Sequence, residues 1–214
     1  MYRSITLFGM SNAGKSYWRK KLAAKGFVPF CCDDLIERRL EPHLKANGYH
    51  GIADVAKWMG YPFEARYAAN SRRYLACEIE VMREAIHAIQ TQPQNLVVDP
   101  TASVIHTGYD LLALLRGLTL MVAIDTPESH LPDLERRFFS EPKPVLWGKS
   151  FRPLPGEEGM AAVTRCYPQL LRDRNPEYRR WAHVLLDYAA VWTPGLTAND
   201  FLALIRKNLR VRAS

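Results

Sequence analysis

The sequence predicts a three-layer α/β/α domain in which a five-stranded parallel sheet lies between helices. Two observations carry this prediction. Short apolar runs alternate with stretches of helical periodicity, the order that crossovers between parallel strands produce. A glycine-rich loop also follows the first apolar run and precedes the first helix. With 214 residues and 48% hydrophobic content, the chain can build one sizeable core, so we expect residues 1–214 to form a single domain.

The glycine-rich loop reads GMSNAGKS over residues 9–16 and matches the phosphate-binding pattern G-x-x-x-x-G-K-[S/T]. The β-prone run Ser4 to Phe8 before it predicts a buried strand. The helix formers Tyr17 to Lys25 after it predict a helix that ends at Gly26. In this arrangement successive backbone N–H groups and the helix N-terminus surround an anion. The loop therefore predicts a site for nucleotide phosphates.

The same loop predicts ATP and Mg²⁺ as cofactors. Lys15 can reach the terminal phosphates, and the Ser16 hydroxyl can ligate Mg²⁺. The preference for ATP over GTP stays open. The residues expected to bind the nucleotide come from the loop, the helix after it and one charged helix later in the chain: Gly9, Ser11, Asn12, Ala13, Gly14, Lys15, Ser16, Tyr17 and Arg137.

Composition and charge favour some classes of protein over others. No apolar run approaches the roughly 20 residues of a membrane span, and no leader pattern opens the chain, so we expect a cytoplasmic protein without a membrane partner. The four cysteines lack zinc-like spacing, which favours reduced thiols. The net charge of +7 is dispersed in short pairs. This dispersion favours a cleft for anionic ligands over a nucleic-acid surface, which stays open as an alternative.

A second strand is predicted from Phe27 to Cys32. It delivers Asp33 and Asp34 to its carboxyl end, the edge that holds ligands in open parallel sheets. A carboxylate there can accept a proton from a substrate hydroxyl. Both residues are also typical helix caps. The pattern leaves open which of the two is free for chemistry.

A helical insertion for substrate binding, about residues 35–90, is predicted next. Its first helix is interrupted by Pro42, Gly51 to Gly60 forms a short helix, and Tyr67 to Ile89 forms one long helix. The apolar stripe of the long helix is assigned to the core and comprises Leu75, Ile79, Met82, Ile86 and Ile89. Two arginines near the start of that helix are candidate substrate ligands: Arg66 and Arg73.

The third strand, Asn95 to Asp99, ends on another aspartate. A Mg²⁺-associated acid is expected at this place in phosphate-loop enzymes, so Asp99 joins Ser16 as a candidate metal ligand. A turn aspartate before proline is the alternative.

The remaining elements continue the alternation. They are predicted as a helix from Tyr109 to Arg116 stopped by Gly117, a strand from Leu118 to Ile124, a charged helix from Pro132 to Phe139, a helix from Met160 that ends at Asn175-Pro176 and continues from Glu177 to Ala182, a strand from His183 to Asp187, and a closing helix from Asn199 to Leu209.

A segment of different character, about residues 140–162, lies between two of these helices. It is broken by proline and glycine and carries several basic residues. Over a phosphate site it predicts a lid that excludes water and brings a cation to the transferring phosphoryl group. The candidate cations are Lys143, Lys149 and Arg152, and a floppy insertion is the alternative.

Several of these motifs resemble those of shikimate kinases. The segment Asp33 to Glu37 is similar to the family's aspartate, two residues, then Ile-Glu. This register implies that Asp33, rather than Asp34, contacts the substrate hydroxyl. The resemblance also implies a P-loop nucleoside-kinase-like fold, with Ile52 to Gly60 at the family's short substrate helix and Arg66 near its Phe-Arg pair.

Two later segments extend the resemblance. Lys143 to Leu146 resembles the family's Arg-Pro-Leu-Leu lid, with Lys143 at the arginine position. Arg174 to Tyr178 is similar to the Arg-Asn-Pro-Leu-Tyr segment before the last strand. In the family this arginine binds the substrate carboxylate, a role that suits a planar fork of donors.

The sequence also departs from the family. Asp99 to Ser103 stands where the family has three glycines, Cys31 replaces the first aspartate of the hydroxyl-binding pair, and Trp147 to Gly159 adds length to the lid. Val97 to Thr101 looks like the Asp-x-Thr of polynucleotide-kinase-like and zeta-toxin-like P-loop kinases.

We therefore carry three hypotheses forward. The first is a monomeric ATP-dependent kinase of a small hydroxy acid, with Lys15, Asp33, Lys143 and Arg152 in catalysis and Asp33, Arg66, Arg73 and Arg174 on the substrate. The second is a kinase of a polynucleotide or another large acceptor. The third is a nucleotide-binding regulatory module without transfer activity.

Overall fold

The computed structural model describes residues 3–213, and side chains through Leu209. Five parallel strands form one sheet in the order β2-β3-β1-β4-β5. This arrangement confirms the predicted α/β fold. The strands are β1 Ser4–Phe8, β2 Val28–Cys31, β3 Leu96–Asp99, β4 Thr119–Asp125 and β5 Val184–Asp187.

Helices cover both faces of the sheet. The helices are α1 Lys15–Ala23, α2 Cys32–Lys45, α3 Gly51–Met59, α4 Tyr67–Thr91, α5 Tyr109–Leu118, α6 Leu131–Ser140, α7 Gly159–Trp181, α8 Tyr188–Val191 and α9 Ala198–Ala213. On one face α1 packs against α9, where the rings of Trp18 and Phe201 stack at 4.1 Å. On the other face α4 packs against α5, and both α5 and α7 contact β4. None of the helices within residues 3–213 combines the length and hydropathy that a membrane span needs.

Three helix stops predicted from local signals are wrong. α2 continues through Pro42, α5 includes Gly117, and α7 is one helix through Pro168 and Pro176. A proline in a helix interior removes one hydrogen bond and costs about 3 kcal/mol. In α7 this cost is offset by burial, because the helix places a run of apolar side chains in the core around both prolines.

The apolar stripe of α4 also differs from the prediction. Met82 and Ile86 are buried, but Leu75, Ile79 and Ile89 are only partly buried. The face that enters the core instead carries Tyr74, Glu78, Val81, Met82, Ala85, Ile86 and Ala88. Glu78 therefore lies on the buried face of α4, although the spacing of the apolar residues predicted a different face as buried.

Strand order determines where a ligand can lie. β1 is central, between β3 and β4, and its carboxyl end leads into the glycine-rich loop. Cys31 at the end of β2 pairs in register with Asp99 at the end of β3. The carboxyl ends of β1, β2 and β3 thus meet at one edge, where open α/β sheets form their ligand crevice.

Candidate active site

One cavity of about 250 Å³ lies at this edge. It brings together residues that are far apart in the sequence and that the sequence analysis proposed for one site. The predicted site residues that line it are Ser11, Asn12, Gly14, Lys15, Ser16, Tyr17, Asp33, Asp99, Arg137 and Lys143. Gly9 and Ala13 lie in the same loop but behind the cavity surface, where Ala13 is fully buried.

The loop itself requires glycine at its two pattern positions. Gly9 has φ 140° and Gly14 has φ 108°, in the region that side-chain-bearing residues rarely adopt. A Cβ on Gly9 would lie 3.2 Å from the Ile124 carbonyl oxygen. A Cβ on Gly14 would lie 2.7 Å from Cζ2 of Trp192. Gly14 is also the N-cap of α1, so the helix begins at Lys15, two residues before the predicted start.

Lys15 is held against its own loop. Its Nζ donates to the Gly9 and Met10 carbonyl oxygens, at 3.0 Å each, and the residue is 8% exposed. Burial lowers the pKa of Lys15, and the nearby carboxylates of Asp99 and Asp33 oppose that shift. The ammonium group is therefore poorly solvated and lacks a direct carboxylate partner among its described contacts, a state that favours an incoming anion.

Asp33 and Asp34 lie in the first turn of α2, not at its cap. The N-cap is Cys31, which makes no side-chain capping hydrogen bond. Asp33 is half-buried and lines the cavity, whereas Asp34 is exposed. Burial raises the pKa of Asp33, with a further contribution from the Asp99 carboxylate, while Lys15 opposes the shift. The helix geometry thus directs Asp33 to the site and Asp34 to solvent.

Asp99 is at the cavity but is not a bare carboxylate. Its Oδ2 accepts a hydrogen bond from Arg19 Nε on α1 at 3.2 Å, in an ion pair where Asp99 is 4% exposed. The pair ties α1 to the end of β3. Arg19 was missed from the sequence because it lies 80 residues from its partner, on a helix whose basic residues read as ordinary surface charges.

The lid segment divides into two parts. Val145, Leu146 and Trp147 are buried, while residues 152–156 are exposed. The Tyr67 hydroxyl donates to the Val145 carbonyl oxygen at 3.0 Å and accepts from the Trp147 N–H at 2.9 Å. These contacts hold Lys143 and Pro144 over the cavity, where both are lining residues.

Arg174 lies beneath the lid and not on the cavity surface. Its Nη2 donates to the Leu146 carbonyl oxygen at 2.7 Å, and the residue is 5% exposed. Its Nε is buried without a hydrogen-bond partner among the described residues. A guanidinium group in this state has unused donor capacity in a low-dielectric setting, which is costly unless an acceptor arrives.

The other proposed cations do not line the cavity. Arg66 pairs with Glu64 at 2.6 Å, Arg73 faces His43 on the outer side of α2, and the Nε of Arg152 donates to the Lys149 carbonyl oxygen. Arg66 lines a neighbouring cavity of about 160 Å³, which also includes Lys143.

Besides Arg19, several residues at the cavity were not among the predicted site residues. Tyr74, Thr101, Ala102, Pro144 and Trp192 line the cavity, and Glu78 lies behind it. Trp192 stacks on Tyr17 with ring centroids 5.4 Å apart, so two exposed aromatic rings flank the loop. Glu78 was the one residue with a local signal in the sequence, because it lies among the apolar residues of a predicted helix. A charged residue in such a place is rarely buried unless it has partners.

Comparison with solved structures identifies the fold. The shikimate kinase from Bacteroides thetaiotaomicron is 16% identical, with a TM-score of 0.55 over 99% of this chain and 98% of that chain. The shikimate kinase from Acinetobacter baumannii in complex with shikimate is 21% identical, with a TM-score of 0.54 over 100% of this chain and 96% of that chain. No protein-family model and no curated protein matches the sequence. The chain therefore has the shikimate kinase-like P-loop fold that its motifs predict, at a sequence identity that indicates wide divergence.

Proposed function

We propose that the protein is an ATP-dependent phosphotransferase that moves the γ-phosphoryl group to a hydroxyl of a small, carboxylate-bearing molecule. One observation carries the proposal: a single cavity of about 250 Å³ is lined by the phosphate loop, by Asp33 and by Lys143. These would serve as a phosphate-binding loop, a proton acceptor and a cation for the transferred group, the three protein parts that phosphoryl transfer needs.

The phosphate loop would bind the β- and γ-phosphates through its backbone amides and through Lys15. Nζ of Lys15 now contacts the Gly9 and Met10 carbonyls, both within its own loop. A phosphate offers this ammonium group a full negative charge in place of two neutral acceptors. Lys143 and Arg137 face the same cavity and would neutralise charge on the transferred group.

Asp33 would orient the acceptor hydroxyl and accept its proton. Its raised pKa makes the carboxylate a stronger base than a solvated aspartate, which suits proton transfer in the transition state. Asp34 has no such position, because it points to solvent from the next residue of the same turn.

The donor set fits a magnesium ion. Ser16 and Asp99 both line the cavity and carry oxygen ligands, and Mg²⁺ prefers few protein oxygens beside substrate phosphates and water. When bound, the ion would neutralise charge on the β- and γ-phosphates. Arg19 would hold the Asp99 carboxylate in place from α1.

Arg174 would supply carboxylate recognition. The support is its unpartnered Nε beside the lid, together with a guanidinium group that no described carboxylate neutralises at ion-pair distance. Because Arg174 is only 5% exposed, an acceptor carboxylate would reach it when the Leu146 segment shifts. The cavity size and the packed lid favour a small acceptor over a polynucleotide.

The test is a phosphorylation screen with labelled ATP and a panel of hydroxy acids that includes shikimate. We expect label transfer to at least one acid by the wild type and no transfer by Lys15→Ala. Transfer to an oligonucleotide alone would replace the small acceptor with the polynucleotide hypothesis. ATP binding without transfer to any acceptor, unchanged in Asp33→Asn, would indicate the regulatory module instead.

A further inference from the structure

A buried polar cluster lies directly behind the acceptor side of the cavity. Glu78 on α4 is fully buried, and Thr101 and Ser103 in the turn after β3 are 6% and 2% exposed. The Thr101 hydroxyl donates to Oε1 of Glu78, and the Ser103 hydroxyl donates to Oε2 at 2.8 Å. Each carboxylate oxygen therefore has its own hydroxyl partner, which is what a buried carboxylate requires.

The cluster also fixes the turn itself. Oγ1 of Thr101 accepts from the Ser103 backbone N–H at 3.1 Å and lies 2.8 Å from the Ser103 hydroxyl. The Tyr74 hydroxyl makes contacts with the same two side chains. Oγ1 of Thr101 is thus engaged by the fully buried Glu78, and Thr101 itself lines the cavity.

This turn is a place where the sequence departs from the family that it resembles. The resemblance calls for glycines here, and the chain has side chains at every position from Asp99 to Ser103. Side chains narrow the backbone freedom of the turn, but their hydroxyl groups need partners where they are buried. The carboxylate from α4 supplies these partners across 23 and 25 residues of sequence.

We propose that Glu78 is a positioning residue of the acceptor site, which draws the Thr101 and Ser103 hydroxyls inward so that the turn after β3 presents a fixed, largely apolar wall to the acceptor. This inference rests on the proposed function. It implies an acceptor that places a carbon face, rather than a hydrogen-bonding group, against Thr101 and Ala102. Both residues line the cavity together with Asp33.

Charged groups near Glu78 link the turn after β3 electrostatically to Asp33. The titratable and charged groups that face it come from three helices: Cys32 and Asp33 on α2, Tyr74 on α4, and Arg174 and Tyr178 on α7. Burial raises the pKa of Glu78 to about 7, and the hydrogen bonds from Thr101 and Ser103 oppose that shift. Protonation of Glu78 removes one acceptor from the pair of hydroxyls and loosens the wall.

The kinetic test compares Glu78→Ala and Glu78→Gln with Glu80→Ala and Glu80→Gln, matched changes at an exposed site on the same helix. The acceptor is the acid that the screen identifies. We expect Glu78→Ala to raise the KM for the acceptor about tenfold or more, because small displacements of a positioning group are costly. The KM for ATP should change less than twofold. An equal rise in both KM values, or no rise for the acceptor, would overturn the proposal.

The pH dependence of the acceptor KM is a second test, because a residue with only a structural role would not change it. We expect the acceptor KM of the wild type to change around pH 7 and that of Glu78→Gln to be flat there, with Asp33 intact in both. Glu78→Gln keeps the side-chain volume, so it carries the test if Glu78→Ala does not fold. A pH response that survives in Glu78→Gln contradicts the assignment to Glu78.

A second measurement needs no acceptor and separates this inference from the proposed function. The methyl signal of Thr101 is followed by NMR in methyl-labelled protein. We expect it to shift with pH around 7 in the wild type and to be displaced and insensitive to pH in Glu78→Gln. That result without any phosphorylated acceptor would support the positioning role while the proposed function fails. A Thr101 signal that is identical in the wild type and both Glu78 variants would overturn the inference even in an active kinase.

Discussion

The two halves of the cavity are built in different ways. In the phosphate half, Lys15 contacts carbonyls only five and six residues away, within one loop between β1 and α1. In the acceptor half, the contacts span 23 residues from Glu78 to Thr101, 28 from Arg174 to Leu146 and 78 from Tyr67 to Val145. The first half is formed by one local stretch of backbone, and the second is assembled from two separate helices, α4 and α7, and two loops.

The difference shows which half can change its specificity. A phosphate loop must keep its backbone torsions to aim its amides, so its sequence is narrowly constrained. The acceptor wall depends on side-chain partners that can be exchanged together, as Glu78, Thr101 and Ser103 illustrate. Under the proposed function, a chain with this fold could keep its phosphate loop while the side-chain partners of the acceptor wall change together.

The largest effect is expected at Asp33, where the two halves meet. Asp33→Asn should lower kcat about 10²- to 10⁴-fold, because the amide cannot accept the hydroxyl proton. Asp34→Asn is the matched control, one residue away and exposed, and should stay near wild type. Steady-state ADP release measures both, and equal losses in the two variants would remove Asp33 from the chemistry.

The pH profile of the wild type sharpens the same point. At saturating acceptor, kcat should rise with pH through the raised pKa of Asp33, because the base must be ionised, and fall at alkaline pH through the lowered pKa of Lys15, because the phosphates need its charge. The acid limb should therefore lie above the usual range of an aspartate, and the alkaline limb below the usual range of a lysine. Asp33→Asn should lose the acid limb only.

Gly14→Ala tests whether the phosphate half is as constrained as its geometry indicates. Backbone strain at φ 108° and the close approach to Trp192 each cost about 1–3 kcal/mol. The free loop would relieve this strain by leaving the binding conformation, which the nucleotide must restore, so nucleotide affinity should fall about 10²-fold or more. The double variant Gly14→Ala/Trp192→Ala lacks the indole ring. It should regain only the affinity lost to the steric contact, not the affinity lost to backbone strain. Gly26→Ala is the control, with φ 91° and no atom within 4 Å of a built Cβ. Equilibrium binding of a fluorescent ATP analogue gives the affinities, and full recovery in the double variant would contradict the strain argument.

Arg174→Lys tests the hydrogen bond between Arg174 on α7 and the Leu146 carbonyl oxygen of the lid. Lysine keeps the charge but loses the fork that reaches the Leu146 carbonyl oxygen, and a buried charged hydrogen bond contributes about 1.5–3 kcal/mol. We expect faster proteolysis in the exposed part of the lid, residues 152–156. Arg172→Lys, on the exposed side of the same helix, should leave the cleavage rate unchanged. If both variants are cleaved alike, Arg174 does not secure the lid.

Tyr67→Phe should have the smallest effect. It removes one hydroxyl that serves both the Val145 carbonyl and the Trp147 N–H, at an expected cost of about 1–2 kcal/mol of unfolding free energy. Tyr109→Phe, at a site 65% exposed, is the control. Chemical denaturation with unchanged m-values measures the difference. A wild-type midpoint in Tyr67→Phe would show that apolar packing alone holds the lid.

The sequence alone determined the elements that depend on neighbouring residues. The strand, glycine loop and helix of residues 4–23 and the parallel α/β alternation were predictable, because torsions, caps and apolar runs act over a few residues. The same holds for Asp99 at the end of β3 and for Asp33 just beyond the end of β2. Helix stops at Pro42, Gly117 and Pro176 were mispredicted for the complementary reason. Burial of distant partners outweighed a local penalty there.

Only the tertiary structure decided how the acceptor half is completed. Asp33 rather than Asp34 faces the cavity because α2 begins at Cys32, and Arg174 lies under Leu146 rather than on the cavity surface. Arg19 forms an ion pair with Asp99, and Glu78 accepts a hydrogen bond from Thr101. Both pairs join segments that are distant in the sequence, so local spacing could not predict them. Such pairs form because a buried charge or hydroxyl must find a partner wherever the packed core places one.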